Sequence, residues 1–149
     1  MMRGFIKTVT VVSLLLSAAC KEDAEITSGI QGQWQGTLAE VQFKPLGLPI
    51  PVKDDDPSFA TRIDFSKDGT MVILEDDPKQ GTYEVNGDEL NIDIDYTIED
   101  ISLSGTYHIE TLTQTQLTIH TKRDDTIADP DGGPSVSGEL KITLHFERL

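Results

Sequence analysis

Three kinds of residue in this chain could do chemistry: three histidines, a large population of carboxylates and a single cysteine. His108, His120 and His145 fall on three successive stretches of strand pattern, all with outward parity. Neutral imidazole is a common transition-metal ligand, so neighbouring strands could bring some of the three together as an external metal patch. Ligand histidines normally have a partner on the other ring nitrogen, which spacing does not reveal, and histidines that simply face water are the plainer account. No metal ligand is assigned. The carboxylates cluster at Asp54, Asp55 and Asp56, at Glu75, Asp76 and Asp77, at Glu99 and Asp100, and at Asp124, Asp125, Asp129 and Asp131. Such clusters steer cations and basic partners, and they also serve simply to keep a protein in solution. Asp129-Pro130-Asp131-Gly132 has the residue types of a calcium loop, but no Asp stands two places before Asp129 and no Glu follows at the required spacing. An enzyme would need a nucleophile with its base, or carboxylates in perturbed surroundings. With 26 acidic residues carboxylate pairs arise by chance, and no Ser-His-Asp set shares a face. Catalysis is therefore not expected, no catalytic residue is named, and no cofactor is expected.

The cysteine has a more definite chemistry. Cys20 is alone in the chain, so it has no disulfide partner there, and a free thiol in an exported protein is an oxidation liability. It follows MMRGFIKTVTVVSLLLSAA, in which the basic Arg3 and Lys7 precede an apolar run to Leu16 and then small residues. This is the pattern of a secretory signal peptide, over residues 1–19. A spanning helix needs about 20 apolar residues, and here the charged Lys21-Glu22-Asp23 follows too soon. Leu16-Ser17-Ala18-Ala19-Cys20 resembles a bacterial lipobox, with serine where an aliphatic residue is commonest. The resemblance implies cleavage before Cys20, acyl chains such as palmitate on the new terminus, and a lipidated flexible tether over residues 20–31. Two or more such chains anchor a protein stably where one is marginal. Lys21 stands where an aspartate would resemble an inner-membrane retention signal, and Cys20-Lys21-Glu22-Asp23 resembles the export signal of Bacteroidota lipoproteins. The implied address is the cell envelope, at the outer membrane, facing either the periplasm or the cell surface.

Charge narrows the partners. The chain has 12 basic and 26 acidic residues, and loss of Arg3 and Lys7 with the signal takes its formal charge from -14 to -16. Such a surface repels phosphate backbones and anionic lipid, which excludes nucleic acid and leaves the lipid at Cys20 as the membrane contact.

The elements that must position these groups are strands. Phe59, Thr61, Ile63 and Phe65 alternate with polar residues, as do Leu90, Ile92, Ile94 and Tyr96, and Leu140, Ile142, Leu144 and Phe146. Period two with one apolar face predicts half-buried antiparallel strands. Lys67-Asp68-Gly69 and Asn86-Gly87 are hairpin signals. The pattern gives eight strands, near 32–43, 59–66, 69–75, 80–85, 88–96, 101–110, 115–122 and 136–148, in one domain over residues 32–149. An all-β fold is expected, a small eight-stranded antiparallel up-and-down β-barrel, because closure removes exposed edges; a β-sandwich is the alternative. The long connections, 44–58 and 123–135, fall at one end and make it the mouth.

The only tryptophan, in Gly32-Gln33-Trp34, begins the first strand, and the inward parity of the last strand brings Arg148 to it at the closed end. A guanidinium over an indole is favourable by about 0.5–2 kcal/mol. Gly32-Gln33-Trp34 with a basic residue ending the last strand resembles the lipocalins and wider calycin group. Phe65, Asp68-Gly69-Thr70, Gly81-Thr82-Tyr83 and Leu90 resemble more closely the lipocalin-like domains of bacterial lipoproteins. The resemblance makes Trp34 and Arg148 structural and implies non-catalytic binding of a small apolar ligand in the barrel. Continued parity from Trp34 turns Glu40 and Gln42 inward near the mouth, and the uncharged Leu46 to Val52, with Leu48 and Ile50, could fold over it as a lid or pack as a cap. These four are the expected ligand contacts. The competing expectation is a barrel filled by Phe59, Phe65, Tyr83, Tyr96, Tyr107 and Phe146, acting as an interaction module that contacts an envelope protein through its acidic loops. The inward Gly36 and Gly105 speak for space inside.

Overall fold

Where alternating apolar residues lie between turn residues, the chain forms antiparallel strands in the computed structural model, which describes residues 29–49, 51–98, 101–129 and 131–149. The strands are β1 (Gly32–Pro45), β2 (Val52–Asp56), β3 (Arg62–Phe65), β4 (Thr70–Ile73), β5 (Lys79–Asn86), β6 (Glu89–Asp93), β7 (Thr97–Ile98), β8 (Ile101–Ser102), β9 (Gly105–Leu112), β10 (Gln116–Ile127) and β11 (Val136–Arg148). Strands β1, β3, β4, β5, β6, β9, β10 and β11 pair in that order, and β11 pairs back onto β1. The fold is thus a closed eight-stranded antiparallel up-and-down barrel, as in a lipocalin-like fold, and not a sandwich. The signal peptide, Cys20 and the tether up to residue 28 lie outside the described residues, as does Ile50.

Local chemistry sets the turns. In the β3–β4 connection the Asp68 carboxylate accepts hydrogen bonds from the Thr70 amide (3.0 Å) and hydroxyl (2.6 Å), which hold its pKa below the usual value. Gly69 supplies the positive φ of 81° that closes this turn.

Three departures from the sequence reading matter for function. The first is a β-bulge: the β1–β11 register slips between Gly36 and Leu38. An extra residue in one strand reverses its side-chain parity beyond that point. Trp34 and Gly36 are buried below the bulge, and Ala39 and Phe43 above it. Glu40 and Gln42 consequently lie on the outer face, correcting the expectation that they point inward.

The second departure is in the expected loops. Residues 52–56 are not loop but strand β2, paired with β1 from Phe43↔Val52 to Ala39↔Asp56, while β3 takes over the lower half of β1. Pro57 has no amide to donate, and the ladder breaks there before resuming at Arg62. At the other expected loop, β10 continues to Ile127 against β11. A four-stranded ribbon, β2-β1-β11-β10, therefore rises above the rest of the barrel.

The third departure is the connection between β6 and β9. It holds its own two-stranded sheet, β7 with β8, which makes no ladder with the barrel. Leu103 is buried, and Ile98 and Ile101 pack on the core. Apolar burial of this kind, worth about 25 cal/mol per Å², docks the hairpin over the end away from Trp34.

Candidate functional site

The end at Trp34 is sealed. Trp34 is fully buried and donates its indole N–H to the Ile30 carbonyl at 2.7 Å. Arg148 pairs directly opposite in register, its guanidinium 4.2 Å from the indole centroid. The same guanidinium donates to the carbonyls of Gln114 (2.8 Å), Gln31 (2.7 Å) and Gly29. One side chain thus joins the segment before β1, the β9–β10 turn and the last strand. Gly32 is required beside it: its φ is 115°, and a Cβ there would meet the guanidinium at 2.8 Å. Replacing Arg148 by methionine should lower the unfolding free energy by about 2 kcal/mol, because hydrogen bonds from a charged donor are worth about 1.5–3 kcal/mol. Urea denaturation measures the loss. Lysine should recover less than half of it, since an ammonium lacks the planar fork.

Among the described residues, aromatic side chains pack much of the interior. Phe59, which precedes β3, lays its ring against Gly36, where an added Cβ would meet it at 2.5 Å. That ring packs edge-on to Phe146 at 5.5 Å, and Phe65 packs edge-on to Tyr83 at 4.9 Å. Gly36 therefore leaves no free space, and Gly105 is exposed at the start of β9. Among the described residues the cavity under the β7–β8 hairpin measures about 20 Å³, between Ala39, Val41, Leu103, Tyr107, Ile142 and Leu144. A single water needs about 10–15 Å³, whereas ligand pockets run to about 300–1,000 Å³.

The hairpin is pinned by polar contacts. Tyr107 donates its hydroxyl to the Leu103 carbonyl at 3.0 Å, and burial pushes its phenol up to about 12, so it remains a neutral donor. Ser104 Oγ donates to the Ile94 carbonyl (2.7 Å) and accepts from the Ile94 amide (2.8 Å). Tyr96 reaches across to the Glu75 carboxylate, and burial first, then this hydrogen bond, raises its pKa.

The far rim carries the acids, but on strands as well as loops. Asp54, Asp55 and Asp56 lie on β2, Asp124 and Asp125 on β10, Asp129 and Asp131 beyond it, and Glu75 to Asp77 between β4 and β5. Glu99, Asp100 and Pro130 lie outside the described residues. Cations offset only part of this charge: Lys79 contacts Asp77 at 2.7 Å, and Arg123 contacts Asp125 at 3.6 Å. At the tip of the ribbon Leu46 is 78 % exposed, Leu48 58 % and Val52 63 %, with Ile127 and Val136 also exposed. Leu46, Leu48 and Val52 are thus neither lid nor inner lining. An open groove of about 550 Å³ runs between Leu46, Asp125, Thr126 and Gly138.

On the outer wall the histidines separate into a pair and a single residue. His108 and His120 are register partners on β9 and β10, ring centroids 5.1 Å apart. His145 on β11 stands apart, its Nε2 2.6 Å from the outward Glu40 and its Nδ1 3.3 Å from the Thr118 hydroxyl. Among the described residues no three His, Cys, Asp or Glu side chains converge as metal ligands.

Sequence reasoning placed Trp34 with Arg148 and counted Phe59 among the filling aromatics, but missed its seat against Gly36 and the β7–β8 cover. The apolar Ile98, Ile101 and Leu103 among acids were the signal for the cover. Comparison with family models, curated proteins and solved structures found no match to this chain. The class that fold and site define is a closed antiparallel β-barrel, sealed at one end and acidic with an apolar tip at the other.

Proposed function

We propose that this is a membrane-anchored, lipocalin-like lipoprotein, held at the outer membrane by acyl chains on Cys20, that works as a non-catalytic interaction module. Its contact surface is the far rim, and its partner is an envelope or surface protein with basic and apolar groups. The aromatic packing of the interior carries this reading: among the described residues the space under the β7–β8 hairpin is about 20 Å³, too small for a ligand. Support comes also from polarity, since Gly29 and Ile30, which continue from the tether, lie at the Trp34 end and leave the rim facing away. Exposed apolar tips bordered by one sign of charge are typical of protein contacts.

A second reading has one specific observation behind it. The β7–β8 hairpin covers an apolar floor and shares no ladder with the barrel, so its displacement would admit a small apolar ligand. Mass spectrometry of the full chain, isolated from its own membranes under native and then denaturing conditions, separates the two. The module predicts no small molecule released on unfolding, and photo-crosslinks to protein from Leu46 and Val136 but not from Glu84 near the sealed end. A stoichiometric apolar molecule released on unfolding supports the second reading instead. For the anchor, Cys20→Ser should move the protein from the membrane to the soluble fraction; a variant that remains membrane-bound sinks the lipoprotein assignment.

A further inference from the structure

We propose that His108 and His120 form a two-histidine site for a divalent transition-metal ion, such as zinc or copper, on the outer wall between β9 and β10. They stand directly opposite each other in register. Two imidazoles bound at about 2.0–2.1 Å from one ion at a tetrahedral angle have centroids about 5 Å apart. The observed separation is 5.1 Å, with the rings tilted 58°.

Each ring also has a carboxylate at the nitrogen that a metal would leave free. Asp88 Oδ2 lies 3.1 Å from Nδ1 of His108, and Glu110 Oε1 lies 2.7 Å from Nδ1 of His120. A carboxylate near Nδ1 is the kind of outer partner that accompanies most ligand histidines. The Glu110 position has a structural cause, because the β9–β10 register slips between Thr118 and Ile119 and the bulge re-aims this side chain. The Glu110 contact is close but off axis, leaving the buried Nδ1 of His120 without a satisfied hydrogen bond. A ring turned to hold an ion at Nε2 would be free to align it. The pair opens into a groove of about 340 Å³ with Asp88, Glu89, Thr106 and Lys122 on its walls, so water can complete the coordination. Burial, against the opposing Glu110 carboxylate, lowers the pKa of His120 from the ordinary imidazole value.

The test is titration of the purified full chain in detergent with Zn2+ by calorimetry and with Cu2+ by electron paramagnetic resonance, in the presence of excess Ca2+. One ion per chain is expected, with hyperfine coupling to two imidazole nitrogens. His108→Gln and His120→Gln should each weaken binding by about tenfold or more, and Asp88→Asn by about tenfold, whereas His145→Gln should not. Metal-free melting curves establish that each variant is folded. Binding that survives both histidine variants, or that Ca2+ displaces, places the ion on the acidic surface and overturns the site. Absence of binding at millimolar ion overturns it equally.

Discussion

Trp34→Ala should remove most of the stability of the barrel, about 3–5 kcal/mol on the scale of buried aromatic truncations against a total of about 5–15 kcal/mol for ordinary domains. The indole is fully enclosed, caps the sealed end, and supports the guanidinium that ties three chain segments together. Its loss therefore leaves a void and also removes the surface on which Arg148 rests. Urea denaturation followed by far-ultraviolet circular dichroism is the measurement, since the substitution removes the chain's only tryptophan. Trp34→Phe keeps most of the apolar volume and gives up the hydrogen bond to Ile30, so it should cost about 1–3 kcal/mol. An alanine variant as stable as the parent would show that the sealed end does not hold the fold.

Phe59→Ala is the second large effect, and it connects stability to function. The ring occupies the space above Gly36 and packs on Phe146, so truncation should cost about 3–5 kcal/mol. It should also open an apolar cavity at the Phe59 site inside the barrel. Dry apolar cavities of this kind take up small aromatic molecules. Benzene should therefore raise the melting temperature of Phe59→Ala and leave the parent unchanged. If the parent responds equally, the interior is accessible as it stands and the filled-barrel reading fails. Gly36→Val tests the same contact from the other side: a Cβ 2.5 Å from the ring is overpacked, at about 1–3 kcal/mol.

The barrel itself was legible because alternation and turn chemistry are local. Asp68-Gly69 and Asn86-Gly87 placed two hairpins, and the parity of Leu140 to Phe146 placed Arg148 against Trp34. What escaped depends on pairing. A bulge at Thr37 adds one residue with no compositional mark, so parity carried forward from Trp34 turned Glu40 and Gln42 to the wrong face. Strand β2 escaped because Val52 to Asp56 is charged and exposed, held by the ladder to β1 and not by burial. The histidine pair was half legible: outward parity is periodic, but the carboxylates behind the rings come from a turn and a bulge.

The seam between β1 and β11 runs from Trp34↔Arg148 to Pro45↔Gly138, and the contact of Glu40 with His145 within it spans 105 positions of chain. Closing so long a loop costs entropy before any contact repays it, and folding rates fall as such distant pairings dominate. The β10–β11 ribbon is a local hairpin and can form early, whereas β1 gains its largest partner only after that partner has been made. Strand β1 therefore waits for the partner on its other edge until β11 has been made. Until then its hydrogen-bonding edge is open to other chains, which makes assembly order, more than final stability, the point at which this barrel is most vulnerable.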